Sequence, residues 1–232
     1  MTVGSAYSAT LLGLVKPEDL QDPYPIEVRG PLSAAVRPPG SRSVTNRALL
    51  CAALAPGVSE VIGAGENDDT EAMRRGLRGL GAKIREAGDG WRVDGCGGVF
   101  PVRNVHLDVG ASGTTARFLT AAASLARGPV TIDGSARMRE RPIADLVDGM
   151  QALGAEARID GMGGCPPVRV DGGGLPGGTA RIDASRSSQF VSGLLLAAPC
   201  ATRDVELIFR DGAVVSWPFL ELTSQVMTAF GA

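Results

Sequence analysis

Histidine, aromatic residues and paired cysteines are scarce in this sequence, and these shortages argue against several kinds of site. His106 is the one histidine among 232 residues, and aromatic residues make up 4% of the chain. The four cysteines lie far apart, without the C-x-x-C spacing of a zinc or redox site. We therefore expect no metal and no cofactor, and a core built mainly from Ala, Leu and Val side chains.

Long apolar runs and an excess of positive charge are also absent. No stretch reaches the roughly 18 consecutive apolar residues of a membrane-spanning helix. The N-terminus shows no basic segment followed by a hydrophobic one. The net charge is -2, whereas a nucleic-acid binder normally carries a basic excess. We expect a cytoplasmic protein that binds neither membranes nor nucleic acids.

What the sequence does contain is an internal repeat, marked by two landmarks. The first is a Gly-Ala pair at the end of a helical stretch, with its glycine at Gly81, Gly154 and Gly231. The second is a small-residue turn before an apolar helical stretch, beginning at Gly40, Gly110 and Ala184. The intervals are 73 and 77 residues for the first landmark and 70 and 74 for the second. The matching intervals predict three copies of one unit.

Each copy has the pattern of an α/β unit. An apolar helix is predicted at about 43–55, 113–126 and 187–199, a strand follows it, and an amphipathic helix is predicted at about 68–80, 141–153 and 216–230. Two closing strands follow in the first two copies. The third copy lacks them, because the sequence stops directly after its second helix. The pattern predicts βαβαββ repeats with the third one truncated.

The predicted domain organisation follows from these copies. Residues 1–23 are polar and irregular and are expected to form a mobile tail. Residues 24–38 read as a strand segment that precedes the repeats. The repeat domain spans 39–232, with repeats at about 39–98, 99–174 and 175–232.

The first turn and helix start, G-S-R-S-V-T-N-R-A-L-L at 40–50, has an unusual composition. It places Arg42, Arg47 and three hydroxyls (Ser41, Ser43 and Thr45) at the start of an apolar helix. A helix N-terminus already carries partial positive charge and unpaired N–H groups. Added arginines are unfavourable there unless an anion neutralises them, so we interpret the stretch as an anion site. The alternative is that the arginines face solvent and a serine is an ordinary helix cap.

The corresponding turns of the other two copies have a similar character. They are Ser112-Gly113-Thr114 and Arg186-Ser187-Ser188-Gln189. Gly113 would let an anion approach the backbone closely, and the serines supply donors. Arg141, near the start of a later helix, adds another cation. If the three helix starts face one region, they form a pocket for one or two multiply charged anions.

These motifs resemble those of the 5-enolpyruvylshikimate-3-phosphate synthase (EPSP synthase) family. The resemblance runs from about residue 25 to residue 232 and is carried by PGSRSVTNRALLCAALA (39–55), ENDDTEAMRRGLRGLGA (66–82), GASGTTARFL (110–119), RMRERPIADLVDGMQALGA (137–155), SRSSQFVSGLLLAAP (185–199) and VSWPFLELTSQVMTAFGA (215–232). It implies an inside-out α/β domain, in which three repeats surround parallel buried helices. It also implies transfer of the enolpyruvyl group of phosphoenolpyruvate to the 5-hydroxyl of shikimate 3-phosphate, with release of phosphate.

The resemblance assigns roles to residues in all three turns. It implies that shikimate 3-phosphate is bound by Arg42, Ser43, Arg47, Ser187, Ser188, Gln189 and Ser216. It implies that phosphoenolpyruvate is bound by Arg42, Gly113, Thr114, Arg141 and Gln189. Four positions depart from the family's usual residues: Arg42 replaces a Lys, Ala111 an Asn, Phe118 a Pro and Phe219 a Tyr. Arg42 keeps the charge but changes its geometry, because guanidinium is a planar fork.

The family's second domain, with its acid–base groups, has no counterpart in these 232 residues. We therefore expect no catalytic residue in this half, no turnover by the chain alone, and a separate C-terminal half chain as a partner. Two alternative functions remain open. One is a non-catalytic module that binds phosphorylated ligands. The other is the related enolpyruvyl transferase that acts on UDP-N-acetylglucosamine, which normally has a Lys-Asn pair at the first turn.

Overall fold

The structure is a computed structural model that describes residues 30, 35, 38–210 and 215–232. Pro39–Ala232 form one compact unit of mixed α/β structure. The expected tail at 1–23 lies outside the described residues, as does most of the expected strand segment at 24–38.

Three apolar helices carry much of the core. They are α1 (Arg42–Leu54), α3 (Gly113–Ala123) and α5 (Ser188–Ala197), each within a few residues of its predicted bounds. In α1 every residue from Thr45 to Leu54 is buried. A helix that is apolar around most of its circumference must be covered on all sides to be stable. These helices are therefore central rather than peripheral.

The packing of α3 against α5 depends on small side chains. A Cβ added at Gly193 of α5 would lie 3.1 Å from the carbonyl oxygen of Arg117 and 3.5 Å from the Cβ of Ala121, both in α3. A larger side chain would push the two backbones apart. This close approach brings the N-terminal turns of α3 and α5 near each other, which matters for the site described below.

Three amphipathic helices pack against the central ones. They are α2 (Asp68–Gly79), α4 (Ala144–Ala152) and α6 (Pro218–Ala229). The start of α2 is stabilised by a capping box between Asn67 and Thr70, and by acidic residues in its first turn, where the helix dipole favours them. Helix α2 contacts α1 and α3, α4 contacts α5, and α6 contacts α5 and α1. Each amphipathic helix thus buries its apolar side on the central helices.

The strands form three separate sheets. The first contains β1 (Val58–Ile62), β2 (Lys83–Ala87) and β3 (Gly90–Asp94) in the order β1-β3-β2, all antiparallel. The second contains β4 (Val105–Asp108), β5 (Val130–Asp133), β6 (Ala157–Ile159) and β7 (Val168–Val170) in the order β4-β5-β7-β6, with β4 and β5 parallel. The third pairs β8 (Gly178–Ile182) with β9 (Val205–Phe209) in parallel.

The start of α4 differs from the sequence prediction. We predicted a helix from residue 141, but α4 begins at Ala144 and is preceded by a 3₁₀ turn at Met138–Glu140. Arg141 has an extended backbone (φ −100°, ψ 123°), because the ring of Pro142 disfavours a helical conformation at the residue before it. The prediction was wrong there, and the extended backbone places Arg141 outside the helix.

The outer edge of β9 generates a testable prediction. Within the described residues β9 pairs only with β8, whereas β5 is paired with β4 on one side and β7 on the other. Leu207 of β9 is half-buried, but Ile132 of β5 is fully buried. Unpaired edge amides exchange readily and invite association with other strands. We expect amides at 205–209 to exchange faster than those at 130–133 in hydrogen-exchange mass spectrometry of the monomer. Equal protection of the two strands would show that another segment covers this edge.

Candidate anion-binding site

The N-terminal ends of α1, α3 and α5 open on one cleft of about 530 Å³. The cleft brings together all ten residues that the sequence nominated: Arg42, Ser43, Arg47, Gly113, Thr114, Arg141, Ser187, Ser188, Gln189 and Ser216. Five further residues complete its lining: Asp69, Ala111, Arg186, Val215 and Phe219. The roles of the individual residues in binding stay predictions.

The cleft carries a concentrated positive charge. Among the described residues, four arginines line it against a single carboxylate, that of Asp69. The positive ends of three helix dipoles point towards the same region, and their first N–H groups have no partners within the helices. Such an arrangement favours a ligand with more than one negative charge.

Serine hydroxyls are divided between capping the helices and lining the cleft. The side chain of Ser41 accepts a hydrogen bond from the Val44 N–H at 3.4 Å, so Ser41 is the ordinary cap. Ser112 caps α3 in the same way, whereas Ser187 both caps α5, by accepting from the Gln189 N–H, and lines the cleft. Ser43 is not the cap of α1 and lies half-buried in the cleft wall. Its hydroxyl therefore remains available for a ligand.

Arg47 is a buried cation without a carboxylate partner among the described residues. Its side chain donates to Thr223 Oγ1 at 2.7 Å, to the carbonyl of Ser43 at 2.9 Å and to Ser192 Oγ at 3.3 Å. The guanidinium also lies over the ring of Phe118. Burial lowers the pKa of Arg47 to about 10, so the group stays charged at neutral pH. Its positive charge therefore lies in the wall of the cleft.

Two further cations, Arg117 and Arg141, lie at the start of α3. Arg117 is buried and donates to the carbonyl of Gly113 at 2.9 Å and to that of Pro142 at 3.0 Å. Arg141 donates to the carbonyl of Ala111 at 3.2 Å. A Cβ at Gly113 would overlap both guanidinium groups, so the glycine is what allows them to approach the helix N-terminus. Burial, and secondly the charge of Arg141, lowers the pKa of Arg117 to about 10.

The third helix start is joined to the second by a side-chain hydrogen bond. Gln189 Nε2 donates to Thr114 Oγ1 at 3.1 Å. This bond links the first turn of α5 to the first turn of α3, across the middle of the cleft. Ser216, which also lines the cleft, has a left-handed backbone with φ 61°, a conformation uncommon for a residue with a side chain.

The single carboxylate of the cleft is held by one of its arginines. Asp69 Oδ2 lies 3.3 Å from Arg42 Nη1, and the Arg42 side chain is 70% exposed. An ion pair this exposed contributes little to stability. It nevertheless occupies Asp69, which is the only carboxylate among the described lining residues. The described cleft thus provides cations and hydroxyls but no free carboxylate.

Comparison with known proteins assigns the chain to a family. The model of the EPSP synthase (3-phosphoshikimate 1-carboxyvinyltransferase) family matches residues 26–232. The chain belongs to the EPSP synthase family.

Relatives in this family come from distant organisms. A 3-phosphoshikimate 1-carboxyvinyltransferase of Pseudomonas syringae pv. syringae is 42% identical over 208 residues, which cover 89% of this chain and 49% of the relative. The corresponding protein of Methanoculleus marisnigri is 45% identical over 204 residues, covering 88% and 48%. The chloroplastic one of Petunia hybrida is 44% identical over 210 residues, covering 86% and 40%.

Solved structures agree with this assignment. An EPSP synthase from Acinetobacter baumannii superposes with a TM-score of 0.71 at 27% sequence identity, over 83% of this chain and 42% of that chain. The chain spans about half the length of the curated relatives that it matches.

Two residues of the cleft region escaped the sequence prediction. Arg117 follows Arg47 by 70 residues, the same interval that separates Gly40 from Gly110. Both arginines donate to the carbonyl of the residue four positions earlier, so the repeat could have revealed Arg117. Asp69 belongs to the first turn of α2, and its place in the cleft depends on how α2 packs.

Two kinds of feature are absent from the described part of the chain. It contains no group of three or more His, Cys, Asp or Glu side chains placed to hold a metal ion. Its helices are all too short or too polar to cross a membrane.

The unpaired charge of Arg47 leads to a prediction about stability. We expect Arg47→Met to leave the free energy of unfolding unchanged or to raise it by about 1 to 2 kcal/mol, because a buried charge is replaced by apolar volume. Thr223 and Ser192 would still have partners, since Thr223 Oγ1 lies 3.1 Å from Ser192 Oγ and 2.7 Å from the Phe219 carbonyl. Urea unfolding measures this, with the exposed Arg85→Met as the control. A loss of several kcal/mol would show that Arg47 is needed mainly for folding.

Proposed function

We propose that this chain supplies the substrate-binding half of a 3-phosphoshikimate 1-carboxyvinyltransferase. The single observation that carries the proposal is the cleft at three helix N-termini, whose described lining has four arginines and one carboxylate. Both substrates of that reaction, shikimate 3-phosphate and phosphoenolpyruvate, combine a phosphate group with a carboxylate. The names of the relatives point to the same activity.

The cleft has two regions suited to two anions. On one side, Ser43, Arg47, Ser187, Ser188 and Ser216 would bind shikimate 3-phosphate. Arg47 contributes chiefly as a fixed charge, because its Nε and both Nη atoms already donate to the protein. The serine hydroxyls supply additional donors at the same wall.

On the other side, Gly113, Thr114 and Arg141 would bind phosphoenolpyruvate. The missing side chain at residue 113 leaves the first N–H groups of α3 accessible, and Arg141 lies beside them. Anions bind well where backbone N–H groups and a guanidinium converge. Arg42 and Gln189 would contact both ligands.

The proposed reaction requires acid–base groups that the described residues of this cleft do not offer. In enolpyruvyl transfer the substrate hydroxyl loses its proton and adds to phosphoenolpyruvate, whose methylene carbon gains a proton; that carbon then loses a proton as phosphate leaves. Both stages need a positioned acid and base. Asp69 is engaged by Arg42, and arginine is a poor base near neutral pH. A separate C-terminal half chain would supply these groups and exclude water from the cleft.

We also propose that this chain has the repeat architecture implied by the family resemblance. Three successive units, each with a central apolar helix and a packed amphipathic helix, support an inside-out arrangement of βαβαββ repeats at about 39–98, 99–174 and 175–232. Only the middle unit has all six elements among the described residues. A cytoplasmic location also stays a prediction, since the plant relatives are named chloroplastic.

Ligand selectivity tests whether Ser43, Arg47 and the other serines of that side bind shikimate 3-phosphate. We expect shikimate 3-phosphate to bind the chain at least about tenfold more tightly than shikimate, because the phosphate ester meets a charged wall. The affinity should fall as salt rises, since exposed charges are screened. Calorimetry at low and moderate salt measures both effects, and Arg47→Ala should weaken binding more than Arg42→Ala. Equal affinities for the two ligands would contradict the assignment.

Turnover tests the proposed division into halves. We expect no phosphate release when the chain alone is given both substrates, because no described group of the cleft is a free acid or base. Release should appear when a separately expressed C-terminal half of the Pseudomonas syringae relative is added, and Arg141→Ala should abolish it. Turnover by the chain alone would refute the division, and inactivity of the mixture would favour a non-catalytic binding module.

A further inference from the structure

The turn that carries Arg141 has an anchor of its own outside the cleft. Arg139, in the 3₁₀ turn Met138–Glu140, donates through Nη2 to Asp133 Oδ2 at 2.6 Å and through Nε to Asp133 Oδ1 at 3.0 Å. Asp133 is the last residue of β5, and its side chain is 9% exposed. The hydrogen bond and charge of Arg139 lower the pKa of Asp133. The turn is thereby fixed to the end of a buried strand.

We propose that Asp133 and Arg139 are positioning residues that hold Arg141 in the cleft. The proposal rests on the proposed function in one respect, that Arg141 binds an anion there. Neither Asp133 nor Arg139 lines the cleft. Two of the three nitrogens of Arg139 are already bound to Asp133, so its contribution is indirect.

The backbone of Arg141 lies between two anchored points. On its N-terminal side the backbone N–H donates to the carbonyl of Met138 at 3.0 Å, within the turn that Arg139 secures. On its C-terminal side the carbonyl of Pro142 accepts a hydrogen bond from Arg117. Arg141 can therefore leave the cleft only by rotating its side chain or by releasing one of these anchors.

Electrostatic repulsion explains why an anchor is needed. In the absence of an anion, Arg141 faces two like charges: the guanidinium of Arg117 and the positive end of the α3 dipole. Its one described acceptor is the carbonyl of Ala111 at 3.2 Å. An arginine side chain also has large rotamer entropy to lose. Without a fixed backbone, both effects would drive the side chain towards solvent.

A second ion pair in the same turn provides a matched control. Arg137 Nη1 lies 2.7 Å from Glu140 Oε2, and the two side chains are 78% and 61% exposed. This pair makes no contact with a strand among the described residues. Arg137→Ala removes the same charge from the same turn as Arg139→Ala, but leaves the bond to Asp133 in place.

Crystal structures of the variants test the positioning directly. We expect Arg139→Ala and Asp133→Asn to lose the contact between Arg141 Nη1 and the Ala111 carbonyl, while Arg137→Ala keeps it. Thermal unfolding confirms that each variant is folded, and Arg139→Lys should restore the contact in part. An unmoved Arg141 in folded Arg139→Ala would overturn the proposal.

Binding of inorganic phosphate, measured by calorimetry, gives the functional readout. We expect Arg139→Ala to weaken phosphate binding by about tenfold, since a displacement of about 1 Å in a binding group is sufficient for such a loss. Combined with Arg141→Ala, it should cause no further loss, because the group that it positions is then missing. Additive losses would show that Arg139 acts on the ligand independently and would overturn the proposal. If neither the parent nor any variant binds phosphate while Arg141 still moves in the crystal of Arg139→Ala, the positioning role of Arg139 stands, and the proposed function fails.

Discussion

Positive charge held at helix N-termini is the constraint on which the rest of this structure depends. Arg47 and Arg117 are both buried, and neither has a carboxylate partner among the described residues. Burying an unpaired cation costs free energy. The protein offsets part of that cost with carbonyl and hydroxyl acceptors and with the faces of Phe118 and Phe190. An anion that enters the cleft would offset the part of the cost that these contacts leave uncompensated.

The packing of the central helices is what brings these charges together. Gly193 lets α5 approach α3, and Gly113 leaves room for two guanidinium groups at the start of α3. The hydrogen bond from Gln189 to Thr114 then ties the two helix starts across the cleft. Small residues therefore have two roles here, since they set the distance between helices and also the space for the ligand.

Membership of the EPSP synthase family and the chain's length support the same interpretation of the cleft. The described residues form a cleft rich in arginine and serine, while the relatives are about twice as long as this chain. Its one cleft carboxylate is paired with Arg42. The proposed division between a half that binds substrates and a half that supplies acid–base groups would account for both facts.

The sequence alone predicted the order of the helices and, except at the start of α4, their bounds to within a few residues, because apolar periodicity and capping residues are local properties. The ten residues to which the family resemblance assigned a ligand all lie among the fifteen that line the described cleft. Only the tertiary structure decided that Ser41 caps its helix and that Ser43 lines the cleft. The partners of Arg47 include Thr223, 176 positions away, and the turn before Arg141 is bound through Arg139 to Asp133 at the end of β5. Contacts of that kind depend on how distant segments pack, which no local pattern records.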